Sequence, residues 1–183
     1  MRLNVFTMNP ITIIKRLQIL MLVKAGLTIG KNVYIDERVS FDSPFCWLIS
    51  IGDDCTLAKN VTVLAHDAST KRYLDYTKIG RVQIGNKAFI GACSVILPGV
   101  TIGNNTIIGA GSVVTNDIPD NCVAVGNPAR VIVSTTDYIE RQKKLLSERP
   151  RYKAEGWTAG NSLTKENKQI MNKALRDGIG FVT

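Results

Sequence analysis

Residues 84–118, divided every six positions, read IGNKAF IGACSV ILPGVT IGNNTI IGAGSV VTNDI. An aliphatic residue opens every block, a glycine usually follows it, and a small or β-branched residue stands fifth. The opening aliphatics are Ile84, Ile90, Ile96, Ile102, Ile108 and Val114. The fifth positions hold Ala88, Ser94, Val100, Thr106, Ser112 and Ile118. A period of six fits neither the α-helix nor a simple alternating strand.

A stack of three-sided coils accounts for this period, with one hexapeptide forming each side of a coil. The aliphatic residue then points into the prism, and stacked coils bury a continuous aliphatic column. A glycine or asparagine near each corner permits a positive φ there. The asparagines at the expected corners are Asn32, Asn60, Asn86, Asn104 and Asn105. The sequence therefore predicts an all-β solenoid.

The same period occurs earlier in the chain in two shifted registers. One block has Ile51, Leu57 and Val63 as its aliphatics, and an earlier one has Ile29 and Ile35. The shifts between blocks predict two insertions, a short one over residues 41–47 and a polar loop over residues 67–81.

The composition of the 183 residues, 45% apolar and 21% charged, excludes intrinsic disorder for most of the chain. The net charge of +8 arises at the ends. Residues 1–28 carry four basic and no acidic side chains, and residues 131–183 carry ten basic and six acidic ones. Because no recognisable nucleic-acid module accompanies this charge, we expect no nucleic-acid partner. A weak preference for anionic partners, such as a membrane surface, is the alternative to plain solvated faces.

A metal site is not expected. The four cysteines, Cys46, Cys55, Cys93 and Cys122, form no C-x-x-C pair, and His66 is the only histidine. We expect the cysteines to be reduced and structural, as is usual in a cytosolic protein.

The N-terminal apolar run from Leu17 to Val23 is too short to span a bilayer. Ile11, Ile14 and Leu17 predict an amphipathic helix that covers the end of the core. The alternative is that these apolar residues contact a membrane surface peripherally instead of covering the core.

The hexapeptides resemble those of the hexapeptide-repeat acyltransferases, whose fold is a left-handed parallel β-helix, over about residues 29–133. The most specific stretch is residues 113–119, VVTNDIP, followed by residues 126–131, GNPARV. This stretch is similar to the closing coil of sugar O-acetyltransferases of the maltose and galactoside type. The handedness comes from the resemblance alone, because parallel crossovers are otherwise right-handed.

The residue pattern predicts three parts, and the resemblance implies the handedness and the catalytic role of the central one. Residues 1–28 form an N-terminal helical segment that caps the solenoid. Residues 29–133 form the left-handed β-helix catalytic domain, with the inserted loop 67–81. Residues 134–183 form a C-terminal helical extension, with helices expected over residues 137–148 and 164–176.

His66 is the candidate catalytic base. It stands where the repeat breaks off into the inserted loop, and the exit of a rigid scaffold is where sites are usually built. Similar enzymes place their catalytic histidine at the same junction. An imidazole exchanges protons near neutral pH, which suits deprotonation of a hydroxyl that attacks a thioester.

The resemblance implies acetyl-CoA as the acyl donor and no metal. It makes the backbone N–H of Ala92 the donor to the oxyanion. The residues expected to bind the cofactor are Phe89, Gly91, Ala110, Thr115, Asn116 and Arg130. Asn116 replaces a basic residue that the family often has, and Phe89 replaces a common tryptophan.

The acceptor side is less specific. Asp42 and Ser43 in the short insertion and Tyr73 in the loop are the candidates for contact with an acceptor hydroxyl. The predicted activity is O-acetylation of a sugar, in the biosynthesis of a cell-surface polysaccharide. Another acceptor, such as an amino sugar, a serine or an antibiotic, and a non-catalytic solenoid scaffold are the alternatives.

The resemblance also implies a homotrimer in which each active site lies between two subunits. His66 of one subunit then faces the CoA-binding face of its neighbour. The expected localisation is cytoplasmic, with weak peripheral association at the inner face of the membrane.

Overall fold

The computed structural model describes residues 10–183, with side chains from Ile14 onward; residues 1–9 and the Ile11 side chain lie outside that part. The helices of the described residues are α1 (Pro10–Lys24), α2 (Lys71–Leu74), α3 (Thr135–Glu148) and α4 (Lys165–Ala174), with a 3₁₀ helix at Ser43–Leu48. The strands are β1 (Thr28–Ile29), β2 (Tyr34–Ile35), β3 (Ser40–Phe41), β4 (Ile49–Ile51), β5 (Thr56–Leu57), β6 (Thr62–Val63), β7 (His66–Asp67), β8 (Lys78–Ile79), β9 (Val82–Ile84), β10 (Phe89–Ile90), β11 (Val95–Ile96), β12 (Thr101–Ile102), β13 (Ile107–Ile108), β14 (Val113–Val114), β15 (Cys122–Gly126), β16 (Ala129–Ser134), β17 (Arg151–Tyr152) and β18 (Phe181–Val182).

Three sheets form the sides of a prism. Sheet A has the strand order β1-β4-β9-β12, sheet B β16-β15-β13-β10-β5-β2, and sheet C β14-β11-β6-β3. All neighbours in these sheets are parallel except β15 and β16, which form a hairpin. From β1 to β6 and again from β9 to β14, consecutive strands lie in different sheets, so the backbone turns one corner after every side. The predicted parallel solenoid is therefore confirmed.

The aliphatic column predicted from the period fills the prism. All six aliphatics that open the blocks of residues 84–118 are buried, and so are their fifth-position partners. Ile51, Leu57 and Val63 are buried as well, whereas Ile29 and Ile35 pack against the core while partly buried. The core is thus aliphatic along its whole length, as the scarcity of aromatic residues indicated.

The glycines that follow the aliphatics are needed for a different reason from the one predicted. The positive-φ residues do not include the block glycines, such as Gly91 and Gly103. A Cβ on Gly91 would lie 2.5 Å from the backbone nitrogen of Ala110, and one on Gly103 would lie 2.4 Å from that of Asp120. Glycine is required because the next coil approaches too closely for any side chain.

The corner asparagines divide into two groups. Asn32, Asn60 and Asn105 take positive φ, as predicted. Asn86 and Asn104 do not, and their side chains instead join successive coils. The Oδ1 atom of Asn86 accepts from the Asp53 N–H, and that of Asn104 accepts from the Asn86 N–H, both at 2.8 Å. This ladder aligns the corner between sheets A and B.

Polar residues inside the prism bond to backbone carbonyls of the coils. Ser94 Oγ donates to the Gly109 carbonyl at 3.0 Å, and Thr106 Oγ1 donates to the Pro119 carbonyl at 2.9 Å. Burial raises the pKa of the Cys55 thiol and of the Cys122 thiol. Both thiols therefore stay protonated near neutral pH, which agrees with a structural role.

Helix α1 exists, but it does not bury Ile14 or Leu17, the two described residues that were expected to cover the core. Ile14 and Leu17 are more than half exposed, and Leu22 is the α1 residue that packs against the core. The amphipathic interpretation was therefore wrong about which face of the helix meets the solenoid.

Residues 137–183 form a second compact unit, separate from the residues up to Thr136. Both predicted helices are present as α3 and α4, and Thr164 caps α4 by accepting the Asn167 N–H. The unit also contains a two-stranded parallel sheet, in which β17 pairs with β18.

Truncation of the aliphatic column should destabilise the fold strongly. We expect Ile108→Ala to lower the free energy of unfolding by about 2–5 kcal/mol, because it leaves a cavity in a fully buried column. The matched control is Ile132→Ala on β16, where the isoleucine is exposed and the loss should stay within about 0.5 kcal/mol. Equal losses in urea unfolding would contradict the packing described here.

Candidate active site

The strands of sheet C end at one corner of the prism, and both insertions leave the solenoid there. We call it the His66 corner. It comprises Asp42 after β3, residues 64–66 after β6, residues 97–99 after β11 and residues 115–116 after β14. His66 stands in the second coil of this corner, above the Asp42 turn.

The His66 imidazole is held by a buried carboxylate. Asp42 Oδ2 lies 2.5 Å from His66 Nδ1, and the Asp42 side chain is only 1% exposed. The same oxygen accepts the backbone N–H groups of Ala65 at 2.9 Å and of His66 at 2.8 Å. Because a carboxylate only accepts, Nδ1 carries the proton and Nε2 is left with its lone pair.

The second carboxylate oxygen has no partner. Asp42 Oδ1 is buried and makes no hydrogen bond to any of the described residues. The contacts of this carboxylate are thus concentrated on Oδ2, the oxygen that faces His66.

One aromatic residue of the 3₁₀ helix, Phe45, adjoins the imidazole, and a second, Trp47, adjoins Phe45. The ring of Phe45 lies 5.2 Å from the His66 ring between centroids, and Trp47 lies 5.6 Å from Phe45. Trp47 is 56% exposed. Neither residue was singled out from the sequence, although an exposed tryptophan in a chain with two is a signal that could have been used.

The polar insertion begins as a short hairpin. Strand β7 pairs with β8 in antiparallel register, which sets His66 opposite Ile79. Lys78 Nζ donates to Asp67 Oδ2 at 2.6 Å, and this contact, together with the Ser69 N–H, lowers the pKa of Asp67. The hairpin forms one wall of a cavity of about 420 Å³ whose other wall is residues 97–99 and Thr115.

The predicted oxyanion donor lies at another corner. We call it the Ala92 corner, between sheets B and C, and it comprises residues 58–60, 91–93 and 109–111. No hydrogen bond from the Ala92 N–H is found within the part of the chain that the structure describes, whereas the Ala92 carbonyl accepts from the Gly111 N–H at 2.8 Å. Ala110 is exposed in the next coil. This corner therefore presents a free amide donor at its surface.

Arg130 lies near the same corner. Strand β15 stacks on β13, and Gly126 N–H donates to Ser112 Oγ at 3.1 Å, which brings the β15–β16 turn onto the coil of Ala110. Arg130 is exposed and spends one donor on the neighbouring Ala129 carbonyl. Phe89 is 44% exposed on β10, whereas Gly91 is buried beneath the next coil.

The predicted site residues are thus divided between two corners. Those at or beside the Ala92 corner are Phe89, Gly91, Ala92, Ala110 and Arg130. Those at the His66 corner are His66, Asp42, Ser43, Thr115 and Asn116. Tyr73 projects from α2 of the insertion. A side of sheet C separates the corners. From residue 93 to residue 97 an extended chain covers ~13 Å, so one chain does not bring His66 and Ala92 together.

Asp42 does not occupy the position expected of an acceptor-binding residue. Its carboxylate is inside the protein and faces His66 and two backbone N–H groups. Ser43 and Tyr73 are exposed, and Asn116 Nδ2 donates to Thr115 Oγ1 at 2.9 Å.

No group of His, Cys, Asp and Glu in residues 10–183 is arranged to hold a metal ion. Among the helices that the structure describes, none is long and apolar enough to cross a bilayer.

The sequence and the fold are similar to those of known proteins. Residues 81–116 match the bacterial transferase hexapeptide family (six repeats), and residues 49–65 match the hexapeptide repeat of succinyl-transferase. Protein CapG of Staphylococcus aureus is 43% identical over 122 residues, which are 63% of this chain and 70% of CapG. Galactoside O-acetyltransferase of Escherichia coli K12 is 40% identical over 120 residues, 62% of this chain and 56% of that one.

Among solved structures, a galactoside acetyltransferase in complex with coenzyme A aligns with a TM-score of 0.57 and 32% identity. The alignment covers 73% of this chain and 76% of that one. Fold and site together define an acyltransferase of the solenoid class. The chain belongs to the hexapeptide-repeat acetyltransferases, and its prism is the left-handed β-helix that the resemblance implied.

The Asp42 contact should set the tautomer of His66. Because His66 is the only histidine, the imidazole ¹⁵N signals belong to one residue. We expect the neutral ring of the native protein to carry its proton on Nδ1, and Asp42→Asn to weaken that preference. Ser43→Ala, one residue away and exposed, should leave the signals unchanged. An unaltered tautomer ratio in Asp42→Asn would refute the assigned contact.

Proposed function

We propose that the chain transfers an acetyl group from acetyl-CoA to a hydroxyl group of a sugar, in the cytoplasm, during synthesis of a cell-surface polysaccharide. The observation that carries this proposal is the His66 imidazole, oriented by a buried carboxylate at the corner where both insertions leave the solenoid. A scaffold does not need an imidazole held in one orientation by a buried carboxylate, whereas a general base does.

His66 is the general base in this proposal. Its Nε2 accepts the proton of the acceptor hydroxyl as the hydroxyl oxygen bonds to the acyl carbon, and the same proton then passes to the departing sulfur. Asp42 positions the ring and stabilises the imidazolium formed between the two transfers. This role replaces the acceptor contact expected of Asp42, because its carboxylate is buried against the ring.

Acetyl-CoA supplies the acetyl group as a thioester, and the residues of the Ala92 corner fit that ligand. The unpaired Ala92 N–H is available to the developing oxyanion. Arg130 keeps guanidinium donors free for a phosphate after its one bond to Ala129. Phe89, Gly91 and Ala110 line the same edge, and the galactoside acetyltransferase that aligns with this chain holds coenzyme A. At the other corner, Thr115 lines the cavity and Asn116 is bonded to its hydroxyl.

The acceptor pocket is proposed around the insertions. Trp47 offers an exposed ring for stacking on a sugar, two aromatic contacts away from the base. Ser43 lies in the same 3₁₀ helix, and Tyr73 projects from the loop. Sugar as the acceptor class is supported by the galactoside O-acetyltransferase relative.

We also propose that the active site is completed by a second copy of the chain, in a homotrimer. The base and the oxyanion donor lie at opposite ends of the sheet C side, so one chain offers each of them to a different neighbour. A threefold arrangement in which the His66 corner of one copy meets the Ala92 corner of the next closes the ring with three equal sites.

Loss of the base should abolish most of the activity. We expect His66→Ala to lower kcat on the order of 10²–10⁴-fold, measured by thiol release with acetyl-CoA and a galactoside. Binding should survive: acetyl-CoA at a hundred times Kd should still stabilise the variant by about 2.7 kcal/mol in thermal unfolding. An active variant would remove His66 from the mechanism. If acetyl-CoA fails to stabilise the folded native protein, acetyl-CoA is not the acyl donor.

Co-expression of two inactive variants tests the shared site. His66→Ala lacks the base, and Ala110→Trp blocks the Ala92 corner of an otherwise native chain. In mixed trimers about a quarter of the sites combine an intact base with an intact corner, so about a quarter of native activity should return. If both corners of a site come from one chain, no activity returns. Each variant expressed alone is the control.

A further inference from the structure

The outward surface of helix α1 is apolar. Five large apolar side chains between residues 14 and 23 are exposed, among them Leu17 at 54% and Met21 at 62%. The full set is Ile14, Leu17, Leu20, Met21 and Val23. Exposed apolar residues that adjoin one another, unlike scattered ones, mark a surface that contacts something else.

The inward side of the same helix contains a lysine. The Lys15 ammonium donates to the Val39 carbonyl of the solenoid, and burial lowers its pKa. Leu22, seven residues on, packs against the core, and its carbonyl accepts the Cys46 thiol at 3.6 Å. At 3.6 residues per turn, Leu17 and Leu20 point away from Lys15 and Leu22. The helix therefore places the Lys15 ammonium toward the solenoid and exposes its apolar stripe on the outer side.

The sequence of the helix and its flanking residues carries only positive charge. Residues 1–35 contain five basic side chains and no acidic one, and the first acid is Asp36. Lys24 ends the helix and is exposed. A second copy of α1 packed on the stripe would bring the basic side chains of two helices together. The charge therefore disfavours a copy of the same helix and favours an anionic partner.

We propose that α1 docks the protein on an anionic lipid bilayer, with Ile14, Leu17, Leu20 and Met21 inserted below the headgroups. Apolar side chains enter the boundary of the acyl chains while Lys24 stays at the level of the lipid phosphates. A helix of 15 residues is ~22 Å long, shorter than the hydrocarbon core, so it lies along the surface. The apolar face and the basic charge act together, as stable peripheral binding requires.

The test is sedimentation of the full chain with vesicles of phosphatidylcholine alone and with vesicles that also contain phosphatidylglycerol. We expect binding to the anionic vesicles, weakened by salt, and little binding to the neutral ones. The double variant Leu17→Gln with Leu20→Gln should bind at least about tenfold more weakly, because both half-exposed side chains lose their apolar contact. Lys24→Gln should also weaken binding, whereas Lys59→Gln at a solenoid corner should not.

The matched control for apolar area is Val131→Gln with Ile132→Gln, which removes two exposed aliphatics of β16 and should bind like the native chain. Circular dichroism and light scattering report folding and assembly of each variant. Failure of the folded native chain to sediment with anionic vesicles overturns the proposal. So does undiminished, salt-sensitive binding of the Leu17/Leu20 variant, which would mean adsorption by charge alone. Dissociation of the assembly in that variant would assign the stripe to a second copy.

Discussion

The close stacking of one coil on the next is the constraint on which the rest of this structure depends. Parallel strands of neighbouring coils are hydrogen-bonded at every side, so each corner must pass within contact distance of the corner beneath it. That distance excludes a side chain at Gly91 and Gly103. It also brings the Asn86 and Asn104 amides into reach of the adjoining backbone. The period of six in the sequence arises because every side of every coil meets this same requirement.

The site is built where the stacking is interrupted. At the His66 corner the chain leaves the solenoid twice, and the rigid coils hold the two departures directly above each other. The Asp42 carboxylate reaches His66 across 24 residues of sequence for this reason. The Oδ2 atom of this buried carboxylate accepts two backbone N–H groups and also contacts the ring, so Asp42 ties the two departures together. In the proposed mechanism the same contact orients the base.

The sequence predicted the regular part of the protein well. Every aliphatic that opens a block of residues 84–118 was assigned to the core and is buried there, because stacking converts a linear period directly into burial. His66 was chosen because the period stops beside it. The roles of Gly91 and Asn86 were misjudged. They were assigned from the backbone φ preferences of glycine and asparagine, and such preferences do not reveal how closely two coils approach each other. Trp47 and Phe45 were missed because a 3₁₀ turn has no repeat to align it.

Spacing along the chain was enough to predict the solenoid, its aliphatic column and the histidine at its interruption. The three-dimensional fold was needed to learn that Asp42 faces His66 instead of solvent, and that His66 and Ala92 lie at different corners. It also decided that α1 turns Leu17 outward and Lys15 inward, against the simple amphipathic expectation. These outcomes depend on which coil lies next to which, and on which side of a helix meets the solenoid. A one-dimensional pattern does not contain that information.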